Sequence, residues 1–451
     1  MSNNFQFTWS LRPLIVFGGW LWLSLWPNQA LALEFRAFCL ENGMKVVLAM
    51  ENKAPVIISQ VWYRVGSADE IPGKTGLAHM LEHMMFQGTQ KVAPEEFSKI
   101  IAREGGQDNA STTADYTMYY IKLAADRIDL ALQLEADRMQ GLKLSEEKFK
   151  SENQVVREER RMRTDSDPNQ RMMEQFRALA YGKHPYSHPV IGSMQEIAGL
   201  TLEDLKDWYR DYYAPNNVTL VVVGAMNLDQ VEKSIRDHFS QLEANPEIKH
   251  ARLPDLPVQE APRRLEVSDK TVKLPVWVAG YAVPTLGMPE LAQDAIPLDV
   301  LAVVLGNGST SRLHNRIIRE QGLAVSASAG YSGFARSWEL FSISSMPKPG
   351  VDLKALEKAI FQEVALLTRE PVPERELEKA RNGLIAEHVY SQDSIDRIAW
   401  LIGRMSVNNL DWRILLDDYP RRVRAVTSED LLRVAAKYLR PERVTVGVLQ
   451  P

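Results

Sequence analysis

The 451 residues are 45% hydrophobic and 25% charged, the balance of an ordinary globular protein long enough for two or more cores. A formal net charge of -5 leaves no global basic field, which argues against nucleic acid as a partner. The local cluster Arg157, Arg160, Arg161 and Arg163 alternates with Glu158 and Glu159 and reads as a solvated helix face. The single cysteine, Cys39, excludes an intrachain disulfide and reads as a small hydrophobe packed near the start of a strand.

Residues 1–32 differ from the rest. Arg12 precedes the apolar run Leu14 to Leu25, and Ala30-Leu31-Ala32 follows, the order of a signal peptide cleaved after Ala32. The rival is an uncleaved anchor, but the apolar core falls short of the roughly 20 residues that span a bilayer. The expectation is therefore an exported protein in the periplasm or an equivalent extracytoplasmic compartment, with no stable membrane span.

From Glu34 the chain alternates. Met44 to Ala49 and Val56 to Val65 are rich in β-branched and aromatic residues and read as strands, punctuated by Asn42-Gly43 and Ala54-Pro55. Gly76 to Phe86 then reads as a helix. His79 and His83, four apart, share one face about 6 Å from each other, close enough for both imidazoles to reach one ion. Glu82 sits beside that face, where a carboxylate can stand over water without being a ligand. The order H-x-x-E-H is the inverse of the H-E-x-x-H zinc peptidase motif. The competing reading is a solvated polar helix edge.

Pro94 to Ala102 reads as a helix stopped at Gly105-Gly106, Asp108 to Thr113 and Thr117 to Leu123 as strands, and Asp126 to Arg138 and Ser145 to Arg163 as long helices. In the last, Glu152 and Glu159 are two turns apart on one face, so one carboxylate can reach a metal with the other behind it. Thr201-Leu202-Glu203-Asp204-Leu205, Pro215 and Val218-Thr219 recur 226 residues later as Thr427-Ser428-Glu429-Asp430-Leu431, Pro441 and Val444-Thr445. Each copy is a capped helix, a turn and a strand, which predicts two similar α+β halves. Leu242 to Pro262 carries four prolines and reads as a semi-rigid linker. The predicted division is 1–32 signal peptide, 33–245 metal-binding half, 246–263 linker and 264–451 second half. In the second half, Ala295 to Leu305 falls where the metal helix would lie and contains no His or Glu, so only the first half can hold a metal.

Together, H-x-x-E-H, the acidic helix downstream and the duplicated architecture resemble the pitrilysin/insulinase (M16) family of zinc metallopeptidases, in its short bacterial and processing-peptidase branch. The resemblance covers nearly all of the chain after residue 32. It is strongest in Val61 to Ser67, Gly76 to Thr89, Gly105 to Thr117 and Glu152 to Met162. It implies a fold of two homologous halves, each a mainly antiparallel sheet with helices packed on one side, facing each other as a clamshell. It also implies one zinc per chain held by His79, His83 and Glu159, with Glu82 as general base and Glu152 orienting a ligand from behind. Glu158 is the alternative to Glu159, but lacks the two-turn spacing from Glu152. Asn109 and Ala110 match the family's edge strand, where a peptide substrate is held as an added strand, and Arg319 matches a substrate-binding Arg of the second half. The chain departs from the pattern at Val325, where a Tyr that stabilises the oxyanion is expected; Tyr331 is a weak substitute. The departure implies either a homologous partner subunit that supplies the Arg/Tyr pair or a self-sufficient homodimer. The alternative to an enzyme is a non-catalytic peptide-binding or structural relative. The linker is expected to let the two halves enclose a chamber for extended peptides.

Overall fold

A computed structural model describes residues 33–250 and 252–451; the expected signal peptide lies outside them. Six strands build the first sheet: β1 Glu34–Cys39, β2 Lys45–Met50, β3 Val56–Tyr63, β4 Gln107–Thr112, β5 Thr117–Ala124 and β6 Val218–Gly224, in the order β1-β2-β6-β3-β5-β4. Five build the second: β7 Arg263–Ser268, β8 Val276–Val283, β9 Ala324–Gly330, β10 Glu339–Pro347 and β11 Val444–Gln450, in the order β7-β11-β8-β10-β9. Without β1, the two orders are the same. Each sheet is antiparallel apart from one parallel pair, β2 with β6 and β7 with β11. The repeat read in the sequence is the reason. Thr201 and Thr427 each accept a hydrogen bond from the backbone N–H of an Asp three residues on, and each Asp carboxylate accepts one from the Thr backbone N–H. Both helices then deliver the chain into an interior strand of a sheet, β6 or β11.

The fold is thus α+β, with two homologous halves facing each other as a clamshell. Expected and observed elements agree to within a few residues: the helix expected over Asp126–Arg138 runs Ile128–Gly141, and Ser145 to Arg163 is α-helical over Glu146–Arg160 and then widens into a π-turn at Arg161–Asp165. Cys39 differs from expectation in its burial: it is exposed at the end of β1.

Each sheet packs one face on the helices of its own half. The opposite face is covered from the other half, and the covering helices are exchanged. Ile395–Val407, a second-half helix, lies on β3 and β6, where Gly403 brings its backbone against the fully buried Trp62. Pro168–Tyr181, a first-half helix, lies on β7, β8 and β11, and its Phe176 ring fills the space left by Gly280 and Gly447. A Cβ on Gly403 would stand 2.1 Å from the Trp62 indole, so only glycine permits that approach.

A buried ion cluster joins the halves as well. Arg336 of the second half donates to both carboxylate oxygens of Asp69, at 3.1 and 2.9 Å, and to Asp115 at 3.1 Å, while the Tyr186 hydroxyl also donates to Asp115. Burial works against its charge, yet the two carboxylates hold Arg336 well above its ordinary pKa. Glu34–Pro451 accordingly forms one compact unit. Exchanged helices and buried ion pairs thus join the two halves along their seam.

Candidate metal centre

The metal helix, Leu77–Met84, begins at Gly76, whose positive φ of 90° turns the chain into it. A helix start leaves backbone N–H groups without partners. Here the buried carboxylate of Glu70 takes two of them, from Gly76 at 3.0 Å and Ala78 at 2.8 Å, which favours a negative charge at the positive end of the helix. Burial pushes the Glu70 carboxyl up, and His188 opposes this from 3.5 Å. Leu77, Ala78, Met80, Leu81 and Met84 face the core, which turns His79 and His83 to the other side.

There the acidic helix Glu146–Arg160 meets them. One oxygen of Glu159 lies 3.2 Å from His83 Nε2 and 3.8 Å from His79 Nε2, and one donor atom from each of the three residues falls within 4.8 Å of the others. Tetrahedral zinc with bonds of 2.0–2.1 Å separates its ligand atoms by about 3.3 Å, so two imidazoles and a carboxylate at these distances suit that ion with small adjustments. His79 makes no hydrogen bond through Nδ1, which is buried without a partner. The donor set fits zinc.

The electrostatics agree. Burial, helped by the neighbouring His83, lowers His79 to about 4, so it is neutral and able to bind a cation. His83 moves the other way: burial opposes its charge, but hydrogen bonds to Glu152 and Glu159 raise it to about 9. Glu159 is lowered, chiefly by its bond to His83. Burial raises the Glu82 carboxyl, which draws it toward the range useful to a general base.

The other expected residues are distributed as follows. His83 Nδ1 donates to Glu152 at 3.3 Å, and the second Glu152 oxygen accepts from Gln87 at 3.0 Å, so Glu152 fixes the orientation of the His83 ring. Glu158 points away and pairs with Arg161 at 2.9 Å. Asn109 and Ala110 lie on β4, the outermost strand of the first sheet, whose free edge runs beside the metal helix. The Asn109 side chain accepts from the Ala110 N–H at 2.9 Å. Arg319 is exposed at the end of the turn Leu313–Glu320 and bonds to none of the metal cluster among the described residues. Val325, 53% exposed, is on β9, the matching outer strand of the second sheet. Tyr331 is not a substitute for the missing tyrosine, because its hydroxyl is spent on the Pro284 carbonyl at 2.5 Å.

Four contacts went unread in the sequence. The Thr112 hydroxyl, at the end of β4, donates to Glu82. Arg163 pairs with the second Glu159 oxygen at 2.7 Å. Gln87 and the Glu70–His188 pair complete the set. Arg163 lies four residues after Glu159, a spacing that could have been read; the rest come from distant segments.

Two family models match the chain: insulinase (peptidase family M16) over residues 45–194 and the peptidase M16 inactive domain over residues 199–384. A zinc protease of Helicobacter pylori, PqqE, is 36% identical over 427 residues, 94% of each chain. The chain belongs to peptidase family M16. Its fold matches the crystal structure of an H. pylori protease with a TM-score of 0.85 and 33% identity, over 93% of this chain and all of that one. The periplasmic protease PqqL of Escherichia coli has the same fold at a TM-score of 0.78 and 18% identity; this chain covers 48% of it. In this M16 chain the matched insulinase segment holds His79, Glu82, His83 and Glu159, and the segment matched by the inactive-domain model holds Arg319 and Val325.

Proposed function

We propose that this chain is an exported zinc metalloendopeptidase that hydrolyses extended peptides or unfolded segments. The observation that carries the reading is the convergence of His79, His83 and Glu159 with Glu82 on the same helix face. Zinc held by those three residues supplies a Lewis acid that polarises a peptide carbonyl and makes water acidic enough to lose a proton near neutral pH. Glu82 takes the proton from the attacking water and returns it to the leaving amine. Thr112 holds the Glu82 carboxylate in place, Glu152 fixes the His83 ring, and Arg163 occupies the Glu159 oxygen turned away from His83. The free edge of β4 accepts the substrate as an added strand, through main-chain hydrogen bonds that demand no particular sequence, with Asn109 and Ala110 at the contact.

The division of labour we propose is residues 1–32 as signal peptide, 33–245 as catalytic domain, 246–263 as linker and 264–451 as a substrate-clamp domain without metal, contributing Arg319. No helix among the described residues is long and apolar enough to cross a membrane. A second subunit, homologous or identical, completes the enzyme. Two observations support it: Val325 has no donor, and Tyr331 is engaged elsewhere. The PqqL fold, in which a chain of this size accounts for half, supports the same arrangement.

Glu82→Gln tests the reading. It keeps the size and removes the base, so zinc content should be unchanged while peptide hydrolysis falls by at least ~100-fold. Wild-type turnover in this variant, with zinc bound, would favour a non-catalytic peptide-binding member of the family.

A further inference from the structure

In the second half, between its sheet and the helix Leu353–Leu367, lies a cavity of ≈ 490 Å³. Phe361, Val364 and Ala365 of that helix line it on one side, and Val444, Val446 and Leu439 on the other. A packed interior leaves few voids larger than a water molecule, so a space of this size under a sheet needs a cause.

The duplication supplies one. Tyr63 pairs with Val218 across the first sheet and Tyr281 with Val444 across the second, so the two tyrosines hold the same place. The 226-residue offset that relates Val218 to Val444 also sets Leu439 at the place of Tyr213 and Ala435 at that of Tyr209. In the first half the Tyr213 ring stacks on Tyr63, centroids 4.1 Å apart, and its hydroxyl meets that of Tyr119 at 3.1 Å. The Tyr209 hydroxyl reaches across to the Met139 carbonyl at 2.7 Å. In the second half both phenols are missing, and Leu and Ala are too small to fill the room they leave. The cavity is therefore the place where the first half keeps its aromatic stack, with only Tyr281 retained.

Two polar groups there are unspent. Tyr281 is 1% exposed, yet its hydroxyl has no partner among the described residues and, unlike the fully enclosed hydroxyl of Tyr63, keeps accessible surface. Burial alone raises its pKa, so it stays a neutral donor. At the rim, the exposed Arg369 has no carboxylate partner among the described residues. Glu357, the carboxylate of the lining, is matched by Arg264 at 2.9 Å and by Trp277 Nε1 at 2.7 Å. Arg263 donates to the Leu179 carbonyl at 2.7 Å and leaves its charge without a carboxylate as well. The rim is therefore net positive, above an apolar slot that has an uncovered aromatic ring and one free donor inside.

A cation would be repelled by that rim, and a plain alkyl chain would leave the Tyr281 hydroxyl without an acceptor. We propose that the cavity binds a small aromatic carboxylate that carries a phenolic oxygen. Its ring covers Tyr281 as Tyr213 covers Tyr63 in the other half, its phenolic oxygen accepts from the Tyr281 hydroxyl, and its carboxylate lies on Arg369. Few polar groups set in an apolar pocket of this volume are the usual means of orienting such a ligand. The site uses no residue of the metal centre, so it stands or falls separately from the proposed activity.

Isothermal titration of the zinc-loaded protein with 3-(4-hydroxyphenyl)propionate, its amide and octanoate tests it. The aromatic acid should bind saturably in the millimolar range or tighter, the amide at least about tenfold more weakly through loss of the charged group, and octanoate about fivefold more weakly through loss of the ring contact. Leu439→Tyr restores the first-half residue and fills the slot, so it should abolish binding while the Tm stays at or above that of the parent protein. Arg369→Gln, a change at the exposed rim, should weaken the acid about tenfold and leave the amide unaffected. His79→Ala should bind the acid unchanged. No saturable binding, or equal binding of the acid and either comparison compound, would overturn the proposal. So would binding that persists in folded Leu439→Tyr, binding of the acid that Arg369→Gln does not weaken, or binding lost in His79→Ala, which would put the carboxylate on the zinc.

Discussion

Arg336 offers the sharpest test of how the two halves are joined. In Arg336→Met the side-chain bonds to Asp69 and Asp115 disappear, while the Asp69 side chain remains fully buried and that of Asp115 is 9% exposed. Removing one member of a buried ion cluster typically costs about 3–5 kcal/mol, because the remaining charges stay buried and uncompensated. The pH dependence gives the test its direction. Burial already raises the Asp69 carboxyl, and Arg336 is the main force holding it down. Without the arginine its folded pKa climbs further above the unfolded value, so the folded variant binds protons more tightly than the unfolded chain. Its stability therefore recovers as the pH falls toward the unfolded carboxylate pKa of about 4, and is lost as the pH rises through the folded value. Urea unfolding followed by tryptophan fluorescence at several pH values measures both effects. Asp69→Asn and Asp115→Asn added to Arg336→Met should restore part of the loss at neutral pH. A penalty below about 1 kcal/mol, or one that does not shrink on acidification, would show that the cluster does not hold the halves together.

Other expectations follow from the same structure. His79→Ala and Glu159→Gln should each lose zinc by elemental analysis, and full occupancy in both would reject the ligand set. His184 accepts from the Tyr186 N–H through Nδ1 and faces Ser337 Oγ through Nε2, and burial lowers it to about 4. Since the unfolded value is near 6.5, the stability that neutral His184 contributes is complete above that pH and declines as the pH falls toward 4. The loss is at most about 3 kcal/mol, and His184→Asn should flatten the profile between those values. For the isolated chain, turnover should be poor and rise ~10²–10³-fold with a homologous subunit that carries the Arg/Tyr pair, the effect of one oxyanion donor. Val325→Tyr should recover part of that rate alone; robust turnover that no partner improves would leave the homodimer.

The sequence was most legible where function rests on local spacing. His79 and His83 are one turn apart, Glu152 and Glu159 two turns apart, and helical periodicity alone puts each pair on one face. The duplication was legible because both capping boxes survive at the same offset. What periodicity could not show was the partner of each face. The apolar residues of Ile395–Val407 announce a buried helix, but nothing in them says that it lies on the sheet of the other half, and Gly403 reads as a weak point in a helix until Trp62 is seen against it. Arg336 sits in an irregular segment with no periodic signal, and its two carboxylates are more than 220 residues away in the chain. Thr112 was passed over for a similar reason: a threonine closing a strand has many uses, and only the tertiary fold brings it to Glu82.

The exchange of helices has a consequence at the ribosome. β6 completes the first sheet at residue 224, yet the helix that covers its second face ends at residue 407, about 180 residues later. At ~5–20 residues per second, roughly 10–40 s of synthesis separate the sheet from its cover, and Trp62 and its apolar neighbours stay uncovered until the second half has been made. A gene split at the linker would make two fragments, each lacking the other's cover, that become stable only when they meet.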